Sequence, residues 1–173
     1  MTQGPPAKER MRDLATTAQD RIMLTQLLLA NATDYWHEVD VNGGLNTRDY
    51  YLEDATFFNL KGREAIHQFY VWRQSRGPRV NRHVIANFRA ELIEPGLART
   101  NNVMMLFAGD GVPVLPSHAP IQIAEQIDHL VLCEDGRWRF RTREFVNLFK
   151  GDTPTTVPPR AWYEKWSPGS LKD

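Results

Sequence analysis

The second half of the chain constrains the fold most. Four long segments rich in β-branched and aromatic residues follow one another there: Val80–Glu94, Ala98–Ala108, Ile121–Glu134 and Trp138–Phe149. Glu94-Pro95-Gly96 and Glu134-Asp135-Gly136 are compact turn signals, and residues 109–120 make a longer loop. Strands of this length joined by such turns pair antiparallel and need cover on one face. That cover lies upstream. From about Thr17 to Val39, apolar residues recur at helical spacing (Leu24, Leu28, Ala32, Tyr35, Val39), and Leu27, Leu29 and Trp36 widen the stripe. The glycines in Asp40-Val41-Asn42-Gly43-Gly44 permit a left-handed exit.

A short second helix is expected over Thr47–Leu52, then a strand over Ala55–Asn59. A third helix opens at Gly62 and runs to about Gln74, with Ala65, Ile66, Phe69, Tyr70 and Arg73 on its stripe; Ser75-Arg76-Gly77-Pro78 breaks it. The layout is α+β, with helices packed against one strongly curved antiparallel sheet. At 173 residues and 20.0 kDa the chain suits a single domain with a core over about 18–149. Residues 1–12 read as a frayed N-terminus. The 151–173 tail carries Pro154, Pro158 and Pro159, too much proline for a long helix. Its Trp162, Tyr163 and Trp166 have three readings: packing on their own domain, covering a pocket mouth, or crossing to a partner subunit.

Composition excludes several classes. Lys+Arg and Asp+Glu both number 21, so the chain lacks the positive excess of a general nucleic-acid binder. No run of 18 apolar residues is present to span a membrane. The N-terminal segment lacks the basic-then-apolar order of a signal peptide, and the single cysteine, Cys133, cannot pair internally; both fit a reducing cytoplasm. The five histidines form no His-x-His or His-x-x-x-His pair, so a protein metal cage is not expected.

The residues that can carry chemistry begin with Arg82-His83-Val84-Ile85-Ala86-Asn87-Phe88. As a strand of period 2 it points His83, Ile85 and Asn87 to one face. A histidine facing an enclosed space beside an acid can serve as a general base, and it can equally be a structural histidine with a satisfied hydrogen bond. Asp40, at the end of the first helix, is the acid that could orient it; alone it reads as a capping or solvated aspartate. Asn87 could position a substrate carbonyl or hydroxyl. Tyr35 and Tyr51 could donate a phenolic proton, or be core aromatics with a wet tip. Phe58 joins the expected substrate-binding set. Asp128 and His129 are adjacent on a strand and face opposite ways, so they form no dyad. Arg137, Arg139, Arg141 and Arg143 alternate with Trp138, Phe140, Thr142 and Glu144, which reads as a solvated or interface-facing basic row, with Arg143 a candidate for an anionic substrate.

Asp40 after the first helix, Glu53-Asp54-Ala55-Thr56-Phe57, Lys61-Gly62-Arg63-Glu64-Ala65-Ile66, Arg82-His83 and Asp135-Gly136-Arg137-Trp138-Arg139-Phe140 together resemble the SnoaL-like branch of the nuclear transport factor 2-like superfamily. The resemblance runs from about 18 to 149. It implies a cone-shaped curved antiparallel sheet wrapped around the N-terminal helices and enclosing an apolar pocket, with homodimers or higher oligomers formed through the sheet. It also implies roles. In members with a scytalone dehydratase-like or hexachlorocyclohexane dehydrochlorinase-like arrangement, an acid–base Asp–His pair occupies the places of Asp40 and His83, and the latter type carries a His-x-x-x-Asn strand matched by His83 and Asn87. The expected function is a cofactor-independent lyase, dehydratase or isomerase acting on a small, largely apolar cyclic molecule. The other class the resemblance allows is a non-catalytic ligand-binding or assembly module, such as the small subunit of a ring-hydroxylating dioxygenase.

Overall fold

The structure, a computed structural model, describes residues 17–152 and 157–171. Helix α1 (Ala18–Val41) starts at a capping box, in which the Thr17 side chain and the Asp20 side chain each satisfy the other's backbone N–H. Its inward stripe is the one the spacing predicts: Leu24, Leu28, Ala32, Tyr35 and Val39, with Trp36, are all buried. The exit is held by buried Glu38, which accepts from Asn46 N (2.9 Å) and Asn42 Nδ2 (2.7 Å). Gly44 follows at φ +78°, where a Cβ would lie 2.4 Å from the Tyr70 ring.

A single 3₁₀ turn (Thr47–Tyr50) comes next, and β1 (Tyr51–Phe57) begins directly after it. The second helix is therefore shorter than expected, and the strand starts earlier. Tyr51 belongs to the strand, where its ring is fully buried. After β2 (Leu60–Lys61), helix α2 (Arg63–Ser75) buries Ala65, Ile66 and Tyr70. The four long strands are β3 (Arg79–Glu94), β4 (Leu97–Asp110), β5 (Gln122–Leu132) and β6 (Trp138–Lys150).

The six strands form one sheet in the order β2-β1-β6-β5-β4-β3. It is mixed: β1 runs parallel to β6, and the other pairs are antiparallel. The long strands thus behave as expected, while the first short strand returns beside the last and closes the sheet on its far side. Two one-residue bulges set which side chains face in. In β3 the pairing shifts between Ala86 and Arg89, and Asn87 takes φ +54°, a left-handed conformation Asn tolerates better than most residues. In β6 the pairing shifts opposite His129 and Leu130, leaving Arg141 as the extra residue. Each bulge reverses the in/out phase beyond it.

The tail helix α3 (Arg160–Trp166) packs on its own domain: Trp162 and Tyr163 are buried, and the Trp162 ring meets Phe69 and Trp72, each at 6.4 Å between centroids. Ser167 Oγ accepts from Lys61 N at 2.9 Å and ties the tail to β2. The expectation for residues 1–12 lies outside the described residues. No helix among the described residues is long and apolar enough to cross a membrane.

Candidate functional site

Trp36 and Asp40 are four residues apart on α1 and so share one face, one turn apart. That turn lies over β3, where Arg79, Asn81 and His83 alternate inward. His83 Nδ1 is 2.6 Å from Asp40 Oδ1, and the His83 backbone N–H donates to Asp40 Oδ2 at 2.7 Å. Asn81 Nδ2 donates to the same carboxylate. An ionised carboxylate only accepts, so Nδ1 carries the ring proton and Nε2 keeps its lone pair. The imidazole also stacks on Trp36, with centroids 3.8 Å apart and planes 12° from parallel. Both side chains are nearly enclosed, His83 10% and Asp40 7% exposed. Burial lowers the His83 pKa below its ordinary 6.5, against the upward pull of the Asp40 hydrogen bond and charge. Neutral imidazole is the form a general base needs.

His83 stands in the wall of a cavity of about 710 Å³ between α1, α2 and the sheet. That volume lies within the usual range for small-molecule pockets. Trp36, Phe57, Phe69, Met104, Leu106 and Phe145 give it an apolar interior. Tyr70 also lines it and ends a buried chain of phenols. Tyr51 OH donates to Tyr35 OH at 2.9 Å, and Tyr35 OH is 2.6 Å from Tyr70 OH. With Tyr51 donating to Tyr35, the Tyr35 proton can go to Tyr70, which leaves the Tyr70 proton for a ligand. Burial raises all three phenols above their ordinary range, so they act as donors.

Behind Trp36 and Tyr35 lies Arg143, fully buried. It makes two parallel hydrogen bonds to Asp128, 2.8 and 2.9 Å, and Asp128 also accepts from Gln126 Nε2 at 2.7 Å. The guanidinium carbon sits 3.8 Å from the Phe140 ring centroid and 4.2 Å from that of Tyr35. Among the described residues, no three His, Cys, Asp or Glu side chains gather as a metal-binding group.

No family model and no curated protein sequence matches the chain. Solved structures do. A scytalone dehydratase-like protein from Novosphingobium aromaticivorans superposes with a TM-score of 0.68 at 16% identity, covering 82% of this chain and 95% of that one. Aln2 from a Streptomyces species gives 0.63 at 18% identity over 72% and 90% of the two chains. ActVI-ORFA from Streptomyces coelicolor gives 0.62 at 13% identity over 71% and 96%. The chain has the SnoaL-like, nuclear transport factor 2-like fold.

Within this nuclear transport factor 2-like cone the sequence expectations divide sharply. Asp40 and His83 are brought together as the resemblance implied. Asn87 is not: it is the bulge residue of β3, so its side chain is exposed and Phe88 turns inward in its place. Phe58 is also out of the cavity, 60% exposed at a φ of +53° in the turn after β1; its neighbour Phe57 lines the wall. Tyr35 and Tyr51 are not among the residues lining the cavity; they are hydrogen-bonded in the core behind Tyr70. Arg143 is no member of a solvated row, because the β6 bulge turns it into the core while Arg137 and Arg141 stay exposed. Tyr70, Phe69 and Arg73 had a signal, since all three lie on the inward stripe of α2. Phe145 and Met104 had none beyond strand alternation.

Proposed function

We propose that this protein is a cofactor-independent acid–base enzyme, a lyase of the dehydratase type, acting on a small, largely apolar cyclic molecule. The observation that carries the reading is the Asp40–His83 contact with Nε2 left to the wall of an aromatic cavity. His83 Nε2 takes a proton from a carbon next to a carbonyl. The C–H electron pair forms a carbon–carbon double bond, and the carbon–oxygen bond one position on breaks. The departing hydroxide takes a proton from the imidazolium or from Tyr70 and leaves as water. Asp40 holds the tautomer and stabilises the imidazolium. Tyr70 hydrogen-bonds the oxygen on which charge gathers, Phe57, Phe69 and Phe145 wall the substrate ring, and Trp36, stacked on the imidazole, holds the His83 ring in place. Isomerisation shares the first step and returns the proton to another carbon. The fold shared with a scytalone dehydratase-like protein supports the same class.

The test is a panel of cyclic β-hydroxy ketones, with dehydration followed through the absorbance of the conjugated product. On a turned-over member, His83→Ala should cost about 10²–10⁴ in rate. An unchanged rate in His83→Ala removes the assignment.

A further inference from the structure

The cavity is apolar within but not at its mouth. Arg79, Asn81 and His83 occupy successive inward positions of β3, which places the Arg79 backbone roughly 13 Å from that of His83 along the strand. Arg73, on the inward stripe of α2, meets Arg79 there: both guanidiniums reach Asp110 Oδ1, at 3.1 and 3.0 Å. Their side chains are only 14% and 13% exposed, whereas that of Asp110 is 77% exposed. The two cations face inward while the shared anion sits towards solvent. Arg82 lines the same mouth, its Nη1 donating to the Asn81 carbonyl at 2.6 Å. Three of the residues lining the cavity thus carry guanidiniums; Asp40 is the lining carboxylate, and the shared Asp110 bridges Arg73 and Arg79 without lining the cavity. Arg73 is held below its ordinary pKa by burial and by the neighbouring charges of Arg79 and Arg76, despite the opposing pull of Asp110. Each guanidinium carries five N–H donors, and Arg73 gives one to Asp110 Oδ1. Two adjacent guanidinium forks, largely buried at the end of an aromatic slot, match a carboxylate, which accepts such forks two bonds at a time.

We infer that the substrate is a cyclic carboxylate, its ring in the aromatic cavity beside His83 and its carboxylate held at the cavity mouth by Arg73 and Arg79. This rests on the same cavity as the proposed reaction and names the class of molecule that enters it.

The probes are 2-naphthoate and its neutral isostere 2-naphthamide, measured by calorimetric titration against the full chain. Wild type should bind the naphthoate tighter by about tenfold or more, the worth of one charge-assisted hydrogen-bond pair. That preference should shrink as salt is raised, with naphthamide binding unmoved. Arg73→Gln and Arg79→Gln should each remove most of the preference, and Arg73→Lys should restore part of it. Retained naphthamide binding shows that a variant still has its cavity, and the salt series needs no variant at all. Equal affinity for the two probes overturns the inference, as does a preference that survives Arg73→Gln/Arg79→Gln or the failure of both probes to bind. His83→Ala should keep the charge preference. If its turnover is unchanged, the base assignment falls while the carboxylate inference stands; if the preference is absent while His83→Ala is inactive, the reverse holds.

Discussion

Asp128→Ala is the sharpest perturbation the structure offers. Arg143 and Asp128 are both fully buried and joined by two hydrogen bonds. Among the described residues Arg143 Nη1 has no hydrogen-bond partner even with the pair intact, so the Asp128 carboxylate does most of the compensating. Removing it strands a guanidinium packed against the rings of Phe140 and Tyr35 without its counter-charge. It also deprives Gln126 Nε2 of its acceptor. Breaking a buried pair from one side costs about 3–5 kcal/mol. For a domain of this length that is a fall in Tm of roughly 6–20 °C. Urea unfolding followed by tryptophan fluorescence should give the same loss at low and high salt, because a buried pair is screened little. Asp128→Leu/Arg143→Met removes both charges and should recover most of the stability. Glu91→Ala, which breaks the exposed pair with Arg99, should cost no more than about 1 kcal/mol. If Asp128→Ala costs no more than Glu91→Ala, the account of the Arg143 environment is wrong.

Other expectations arise from the same geometry. Gly44→Ala places a Cβ against the Tyr70 ring in a left-handed backbone, so it should cost more than about 1 kcal/mol and weaken ligand binding as Tyr70 shifts; chemical denaturation and titration check the two parts. His83 works deprotonated and its pKa is lowered, so kcat/KM should hold its plateau below pH 6.5 and fall only as pH drops through the lowered value. Asp40 pulls that pKa up, so Asp40→Asn should move the acidic limb to still lower pH while lowering the plateau; a limb moving upward would contradict the pairing. The same shift means the folded state binds fewer protons at His83 than the unfolded one. The stability His83 contributes is therefore present above about pH 6.5 and lost as pH falls towards the folded value, and His83→Gln should flatten that slope in acid denaturation.

The legible parts of the molecule were those governed by uninterrupted periodicity. Helix α1 obeys its 3.6-residue stripe from Leu24 to Val39, so its buried face was readable without knowing what lay opposite. The stripe of α2 put Arg73 beside Phe69 and Tyr70, and all three line the cavity. Asn87 and Arg143 went the other way for one shared reason. Each sits at or just beyond a β-bulge, and one extra residue inverts the face of every side chain after it. Neither bulge has a glycine or proline to announce it: Asn87-Phe88 and Arg141-Thr142 look like ordinary strand. Of the two readings of Tyr35 and Tyr51, the structure places both rings in the core, with Tyr70 and not either of them lining the cavity.

The sequence by itself determined the α+β layering, the inward faces of both long helices and the position of an acid at a helix end ahead of a histidine strand. These depend on local spacing and turn chemistry, which adjacent residues carry. Tertiary structure alone decided that Asp40 and His83 touch, that β1 runs parallel to β6, that Arg143 is buried on Asp128 and that Arg73 and Arg79 converge on one carboxylate oxygen. Those outcomes depend on pairing register and on which strand bulges where. Such choices are settled by how the whole sheet packs against α1 and α2, and no single segment encodes them.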